Sequence, residues 1–287
     1  MTMTIAMVAT VKKTKQAGFS LIELMIAMGL GLFMLAGIIQ VTVGSRQAFD
    51  VIHAQSITQE AGRFGMSFIS RSSRAAGYLN PGDITTMNGD DYAADLVNLV
   101  ANNTYWLGQN GFDEGAVVVG ADTTAATLTD ADTTLDSFTF RMEGDSDATR
   151  PLLDCAGVAI DGTPGVFTRM SFYVDTNDQL RCDVAGASSV VLVSGVEDMQ
   201  VLYGVGDAST PNRVTRYLTA TQMTSADWPY VVIMQIGLMT VSDNTPLDAT
   251  GRAYTLLDKD IPASATADGR ARQVFTQTIA IRSQLSG

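Results

Sequence analysis

Few side chains in this 287-residue chain are placed to do chemistry, and Glu23 is the most exceptional of them. From Gly18 to Val43 the chain is predominantly apolar, and Glu23 is the only ionisable side chain in that run. A carboxylate at the centre of a bilayer costs about 2.5–3.5 kcal/mol on insertion scales, and less near the interface. An acid kept there is expected to have a specific task. Ser20 and Glu23 also have the spacing of a capping box, in which side chains satisfy orphan N–H groups at a helix start. The two roles are compatible.

The other reactive groups are scattered. Cys155 and Cys182 show no C-x-x-C or zinc spacing, and the single histidine, His53, sits among polar neighbours as a surface or interface residue. There is no G-x-S-x-G, H-E-x-x-H, Ser-x-x-Lys or Walker-type loop. No enzyme activity is therefore expected, and any ATP-driven step belongs to another protein. Three acidic clusters, Asp130/Asp132/Asp136, Glu143/Asp145/Asp147 and Asp175/Asn177/Asp178, carry the oxygen ligands that calcium takes. Without an EF-hand pattern, solvated loop acids are the default reading, and no metal or other cofactor is assigned.

The element that must position Glu23 is one apolar segment, long enough at about 1.5 Å per residue for a single membrane span. Lys12, Lys13 and Lys15 precede it with no acid, an asymmetry that keeps the N-terminus cytoplasmic. A secretory signal peptide would have a shorter core of about 7–15 residues and a small-residue cleavage site after it. Here Gly44-Ser45-Arg46-Gln47 follows, which is not such a site. A plain signal anchor accounts for the length and the lysines but leaves Glu23 without a task. A third arrangement is cleavage before the apolar run. The string Gly18-Phe19-Ser20-Leu21-Ile22-Glu23 closely resembles the type IV prepilin junction. That resemblance implies cleavage between Gly18 and Phe19 by a prepilin peptidase/methyltransferase and methylation of the new Phe19 amine. It also implies that Glu23 neutralises the N-terminal amine of a neighbouring subunit, since charges in a low dielectric are tolerable only as a pair.

Composition bounds the remainder. The chain has 18 basic and 30 acidic side chains. Removing residues 1–18 takes three lysines and no acid, so 15 basic side chains remain against 30 acidic ones. A nucleic-acid surface needs a basic patch and is not expected. The balance suits a domain exposed outside the cytoplasm. About 200 residues follow the N-terminal helix, enough for one substantial core. In an exported domain Cys155 and Cys182 are expected to pair, contributing about 3–4 kcal/mol in the chain-entropy model; two buried free thiols are the alternative.

No proline falls between Phe19 and Asn80, and Ile57, Ala61, Phe64 and Phe68 recur at helical spacing. One helix from about Ser20 to Ala76, with Gly77 as C-cap, is expected, its first half a bare apolar stalk and its second packed on a domain. Beyond it the pattern turns to strands. Phe138/Phe140/Met142, Met170/Phe172/Val174, Leu180/Cys182/Val184 and Met199/Val201/Tyr203/Val205 alternate with polar residues. Asp175-Thr176-Asn177-Asp178 reads as a hairpin turn. Val190–Val193 reads as a short buried strand, Tyr230–Val241 as a central strand apolar on both faces, and Phe275, Ile279 and Ile281 as the closing strand. Residues 80–134, with a short helix around Ala93–Val100, and residues 242–270 read as polar loop tracts. The expected fold class is α+β: a long N-terminal helix, membrane-spanning in its first half, packed on an antiparallel β-sheet domain. Its divisions are a leader at 1–18, an assembly segment at 19–43, an amphipathic half-helix at 44–77 and a globular domain at 78–287.

Gly195-Val196-Glu197-Asp198-Met199-Gln200-Val201 with Tyr203-Gly204-Val205 resembles a segment of PilW-type minor pilins. Trp228 before an apolar strand, the Phe275–Arg282 ending, and the helix strings Ser45-Arg46-Gln47, Gly62-Arg63-Phe64 and Arg74-Ala75-Ala76-Gly77-Tyr78 are similar too. The resemblance implies a subunit that primes type IV pilus assembly at the inner membrane and sits near the fibre tip. Its partners would be other minor and major pilins, the peptidase, the inner-membrane assembly platform and a large tip adhesin. Two alternatives stay open: a J-type minor pseudopilin of type II secretion, and an adhesive subunit whose long loops touch a surface or ligand.

Overall fold

The computed structural model describes residues 18–78, 112, 115–121, 135–145, 147, 149, 151–163, 166–184, 189–243 and 249–281. They fall into two units divided between Phe49 and Asp50. One helix, α1 (Leu21–Ser73), contributes to both. It is unbroken because the segment lacks proline and begins with an acid, Glu23, and ends with a base, Arg71, each suited to the helix dipole at its end.

In the second unit α1 buries Ala54, Thr58, Ala61, Gly62, Gly65, Met66, Ile69, Ser70 and Ser73. This differs from the expected stripe. Phe64 is exposed, and Ile57 and Phe68 are only half-buried. The reason is steric. A Cβ on Gly62 would lie 2.1 Å from the Phe275 ring, and one on Gly65 would lie 3.2 Å from Leu180 and Leu238. Apart from Met66 and Ile69 the seat of the helix is made of small residues, so that large side chains of the sheets reach its backbone at Gly62 and Gly65. Phe68 still touches the domain through Phe172, with ring centroids 6.4 Å apart. Beyond Ser73 the chain turns, and Gly77 adopts φ 70°, as expected of a C-cap residue. Its N–H donates to the carbonyl of Arg141 at 2.8 Å, which ties the helix exit to the domain.

The domain is built from strands β1 (Val118–Ala121), β2 (Ser137–Glu143), β3 (Phe167–Val174), β4 (Gln179–Val184), β5 (Val190–Ser194), β6 (Val196–Val205), β7 (Arg216–Leu218), β8 (Val231–Val241), β9 (Tyr254–Leu256), β10 (Lys259–Ile261) and β11 (Arg272–Ala280). They form a five-stranded sheet in the order β1-β2-β3-β4-β5 and a four-stranded sheet in the order β11-β8-β6-β7; β9 and β10 form a separate hairpin. Every pairing is antiparallel. The helix touches both sheets, through Leu180 of β4 and Val193 of β5 in one and Leu238 of β8 and Phe275 of β11 in the other.

Most expected strands are present, and β8 is central as expected, flanked by β6 and β11. Three expectations change. Val190–Val193 lies on an edge, β5, and is only partly buried, with Val191 exposed, because β4 covers one side alone. Residues 242–270 are not all loop; they contain the β9–β10 hairpin, whose Leu256 and Ile261 pack with Met239. The tract 80–134 contains β1, which pairs with β2 from Val118↔Phe140 to Ala121↔Ser137. The helix expected around Ala93–Val100 lies outside the described residues.

The core lies between the sheets and α1. Phe138 and Phe140 both stack on Phe172, at 5.2 and 5.9 Å between centroids. Tyr203 meets Trp228 edge-on at 5.0 Å. Buried Asp136 stitches the sheets together: its N–H donates to the Met199 carbonyl at 3.2 Å and its carboxylate accepts the Val201 N–H at 2.8 Å.

Candidate functional site

The first unit is the candidate site. Phe19 is 85% exposed, and α1 opens two residues later with the Ser20 carbonyl accepting the Leu24 N–H at 3.1 Å. From Leu21 to Phe49 every residue is exposed except half-buried Gly31. Leu, Ile, Met and Phe side chains thus face outward over more than seven turns. In a soluble protein such a surface would be withdrawn from water. The helix is long and apolar enough to cross a membrane, and its most apolar window has no buried residue. Gly29, Gly31, Gly37 and Gly44 each have nothing within 4 Å of a would-be Cβ, so a second helix can approach the backbone there. Thr42 returns its hydroxyl to the Ile38 carbonyl at 2.8 Å, removing a polar group from the surface. Glu23 lies exposed in the first turn, on the same segment as Gly18 and Phe19. The segment thus combines one acid with an exposed apolar surface.

The two cysteines are joined. The Cys155–Cys182 disulfide, with Cα atoms 6.3 Å apart, fastens the connection between β2 and β3 to the buried face of β4. Cys182 faces the core, as its alternation pattern implied.

The acidic clusters have structural work. Asp175 accepts the N–H groups of Asn177 and Gln179 at 2.9 and 3.0 Å and receives Arg181 at 3.2 Å, which forms the β3–β4 turn. Asp178, at φ 55°, pairs with Arg270 at 2.8 Å. Asp145 and Asp147 accept backbone N–H groups two residues on, both at 2.9 Å. Asp130 and Asp132 lie outside the described residues. Among the described residues no group of three acids, histidines or cysteines is arranged to hold a metal. His53 lies exposed on α1.

Sequence reasoning missed the ionic centre of the domain. Arg272 on β11, its side chain 2% exposed, donates to both oxygens of Glu197 at 2.5 and 2.8 Å and to both oxygens of Asp268 at 2.6 and 2.7 Å. Those bonds hold the Arg272 guanidinium above its ordinary pKa and the Asp268 carboxyl well below the usual range. Next to it, Asp198 meets Lys259 at 2.9 Å and accepts from Gln200 at 2.9 Å. Gly195, at φ 81°, turns β5 into β6 and donates to the Asp178 carbonyl at 2.8 Å. The 195–201 string is therefore a structural joint rather than a plain core strand. Arg141 is also buried on β2, its guanidinium 4.8 Å over the Phe112 ring, and desolvation lowers its pKa to about 10.

A family model described as Type IV Pilus-assembly protein W matches residues 171–283, and the prokaryotic N-terminal methylation motif matches residues 13–39. Over these two segments the chain is similar to type IV pilins of the PilW type. The first match runs from β3 to the end of β11 and takes in Gly195, Glu197 and Arg272, so it covers the joint just described. The second takes in Gly18, Phe19 and Glu23. Of the solved structures, a type IV-like pilin from Thermus thermophilus is similar at 14% identity, over 67% of this chain and 97% of that one. Its TM-score of 0.33 is too low to carry an argument. No curated protein matches the pilin-like chain in sequence. Its N-terminal helix fits membrane anchoring and later display in a fibre with other pilins.

Proposed function

We propose that the chain is a minor pilin that helps to initiate a type IV pilus and is incorporated near its tip. The observation that carries this reading is the exposed apolar helix surface from Phe19 to Val43 with Glu23 as its only acid. Before assembly the chain is held in the inner membrane by that single span, its N-terminus cytoplasmic and its domain outside. A prepilin peptidase cuts after Gly18 and methylates the Phe19 amine. Glu23 then pairs with the amine of a neighbouring subunit as the helix leaves lipid for a bundle of like helices. Removing the amine and the carboxylate from water separately would be costly, and pairing them offsets that cost only at close range. The partners are other minor and major pilins, the assembly platform and a large tip adhesin, and the chain itself performs no catalysis.

Mass spectrometry of the mature N-terminus tests the processing step. The expected product begins with N-methyl-Phe19; an intact leader in the working form refutes it. Deletion of the chain tests the system it serves. Loss of pili is expected, whereas loss of protein secretion with normal pili would assign it to a pseudopilus, and normal pilus number with lost adhesion to a displayed binding subunit.

A further inference from the structure

Between β2 and β3 the chain forms a small closed loop that the functions above do not use. Leu153 and Ala159 face each other across an isolated antiparallel bridge. The Asp154 N–H donates to the Val158 carbonyl at 2.9 Å, and the Ile160 N–H to the Leu152 carbonyl at 2.8 Å. The turn between them is locked by the Asp154 carboxylate, which accepts the N–H groups of Ala156 and Val158 at 2.8 and 2.9 Å. Leu152 and Ile160 pack against the core, and Cys155 at the turn is bonded to Cys182 of β4. Everything else on the tip points outward and is uncharged: Pro151, Leu153, Ala156, Val158 and Ala159 are all exposed. Leu153 is 55% and Val158 60% exposed.

An isolated exposed leucine needs no explanation, but five exposed apolar residues on one disulfide-pinned knob do. A knob held by a covalent link, backbone hydrogen bonds and a side-chain-locked turn loses little conformational freedom on binding. Its surroundings select the partner. Between Gly144 and Thr163 the sequence holds Asp145, Asp147, Asp154 and Asp161 against the single cation Arg150. The hydroxyl and N–H groups of Thr149 and Thr163 lower the pKa of Asp147 and Asp161. A second copy of this acidic chain and an anionic lipid surface are both repelled by such a rim.

We propose that this knob is a docking surface, and that it inserts Leu153 and Val158 into an apolar pocket with a basic rim on another protein. The proposal goes beyond pilus assembly and does not depend on processing at Phe19. To test it, a benzophenone amino acid replaces Val158 in the full chain produced in its native host, and adducts are mapped after irradiation. The expected result is one discrete protein adduct, its cross-linked peptide apolar with Lys or Arg at its edges. Adding Leu153→Asp should cut its yield at least about tenfold, as for the loss of a central anchor. A probe at Tyr217 on β7 should be unaffected. No discrete adduct, an adduct with a second copy or with lipid, or a yield insensitive to Leu153→Asp overturns the proposal. Should Leu153→Asp fail to form the Cys155–Cys182 bond on a non-reducing gel, Leu153→Ser takes its place with the same expected outcomes. N-methyl-Phe19 is read from the same cells, which separates failure of the knob from failure of the pilin reading.

Discussion

At the scale of single residues, Glu23 and Gly62 make opposite demands. Glu23 is exposed in the first turn of α1, so Glu23→Gln is expected to leave thermal unfolding of the purified protein unchanged. In the proposed assembly it deprives a neighbour's amine of its counter-charge, so the amount of the variant recovered in sheared pili should fall several-fold; recovery at the parental level would sink the charge-pair mechanism. Gly62 is exposed to the opposite test. Gly62→Val would place a Cβ 2.1 Å from the Phe275 ring edge, and overpacking of that kind costs about 1–3 kcal/mol or more. Denaturant unfolding should show the loss, and Gly62→Val with Phe275→Ala should recover part of it. The two residues were unequally legible. Glu23 declared itself because a charge in an apolar run is improbable. Gly62 and Gly65 were overlooked because a stripe was sought among large side chains, whereas the large side chains at this seat belong to the sheets. Their glycine spacing within an otherwise helical pattern was the available signal.

Among the elements, the β3–β4 and β5–β6 connections and the disulfide determine how firmly the sheets are held. Alternation revealed β3, β4 and β6 because each has one face toward the core and one toward solvent or a polar partner. It did not reveal β1, β7, β9 or β10, which have three or four residues each and too few alternations to rise above composition. Nor did it distinguish the edge strand β5 from a buried one, since order within a sheet is set by pairing that no local pattern contains. Reading Arg272 from sequence was equally out of reach, because its partner Glu197 is 75 positions away. Arg272→Met would leave Glu197 and Asp268 facing each other. As both carboxylates are partly exposed, a loss of roughly 1–3 kcal/mol is expected, measured by urea unfolding. Replacing both cysteines by serine opens a link across 27 positions and should cost about 3 kcal/mol, seen as a lower melting temperature with the fold retained.

For the molecule as a whole, the distribution of perturbed acids predicts its response to pH. Asp207 is lowered to about 2 by the hydroxyl and N–H groups of Ser209 and Thr210. Asp227 is lowered by Thr224 and then by Arg216, and Asp268 by Arg272. A carboxyl whose folded pKa lies below its unfolded value contributes stability that is full above the unfolded value, near 3.8, and is lost as pH falls through the folded one. Asp183, raised by burial, runs the other way. The lowered acids predominate, so the melting temperature should be nearly flat from pH 7 to about 5 and fall steadily toward pH 2. A melting temperature that rises on acidification would contradict this arrangement of ion pairs and locked turns.

The seat of α1 also bears on the order in which the protein can mature. Ser70 receives Gln277 from a strand 207 positions further on, and Gly62 is covered by Phe275 of that same strand. This part of the helix therefore cannot complete its seat until a strand 207 positions later has been made. Contacts so remote in sequence slow folding, since chain closure precedes any reward. A chain lacking β11 would leave the glycine face of its helix uncovered.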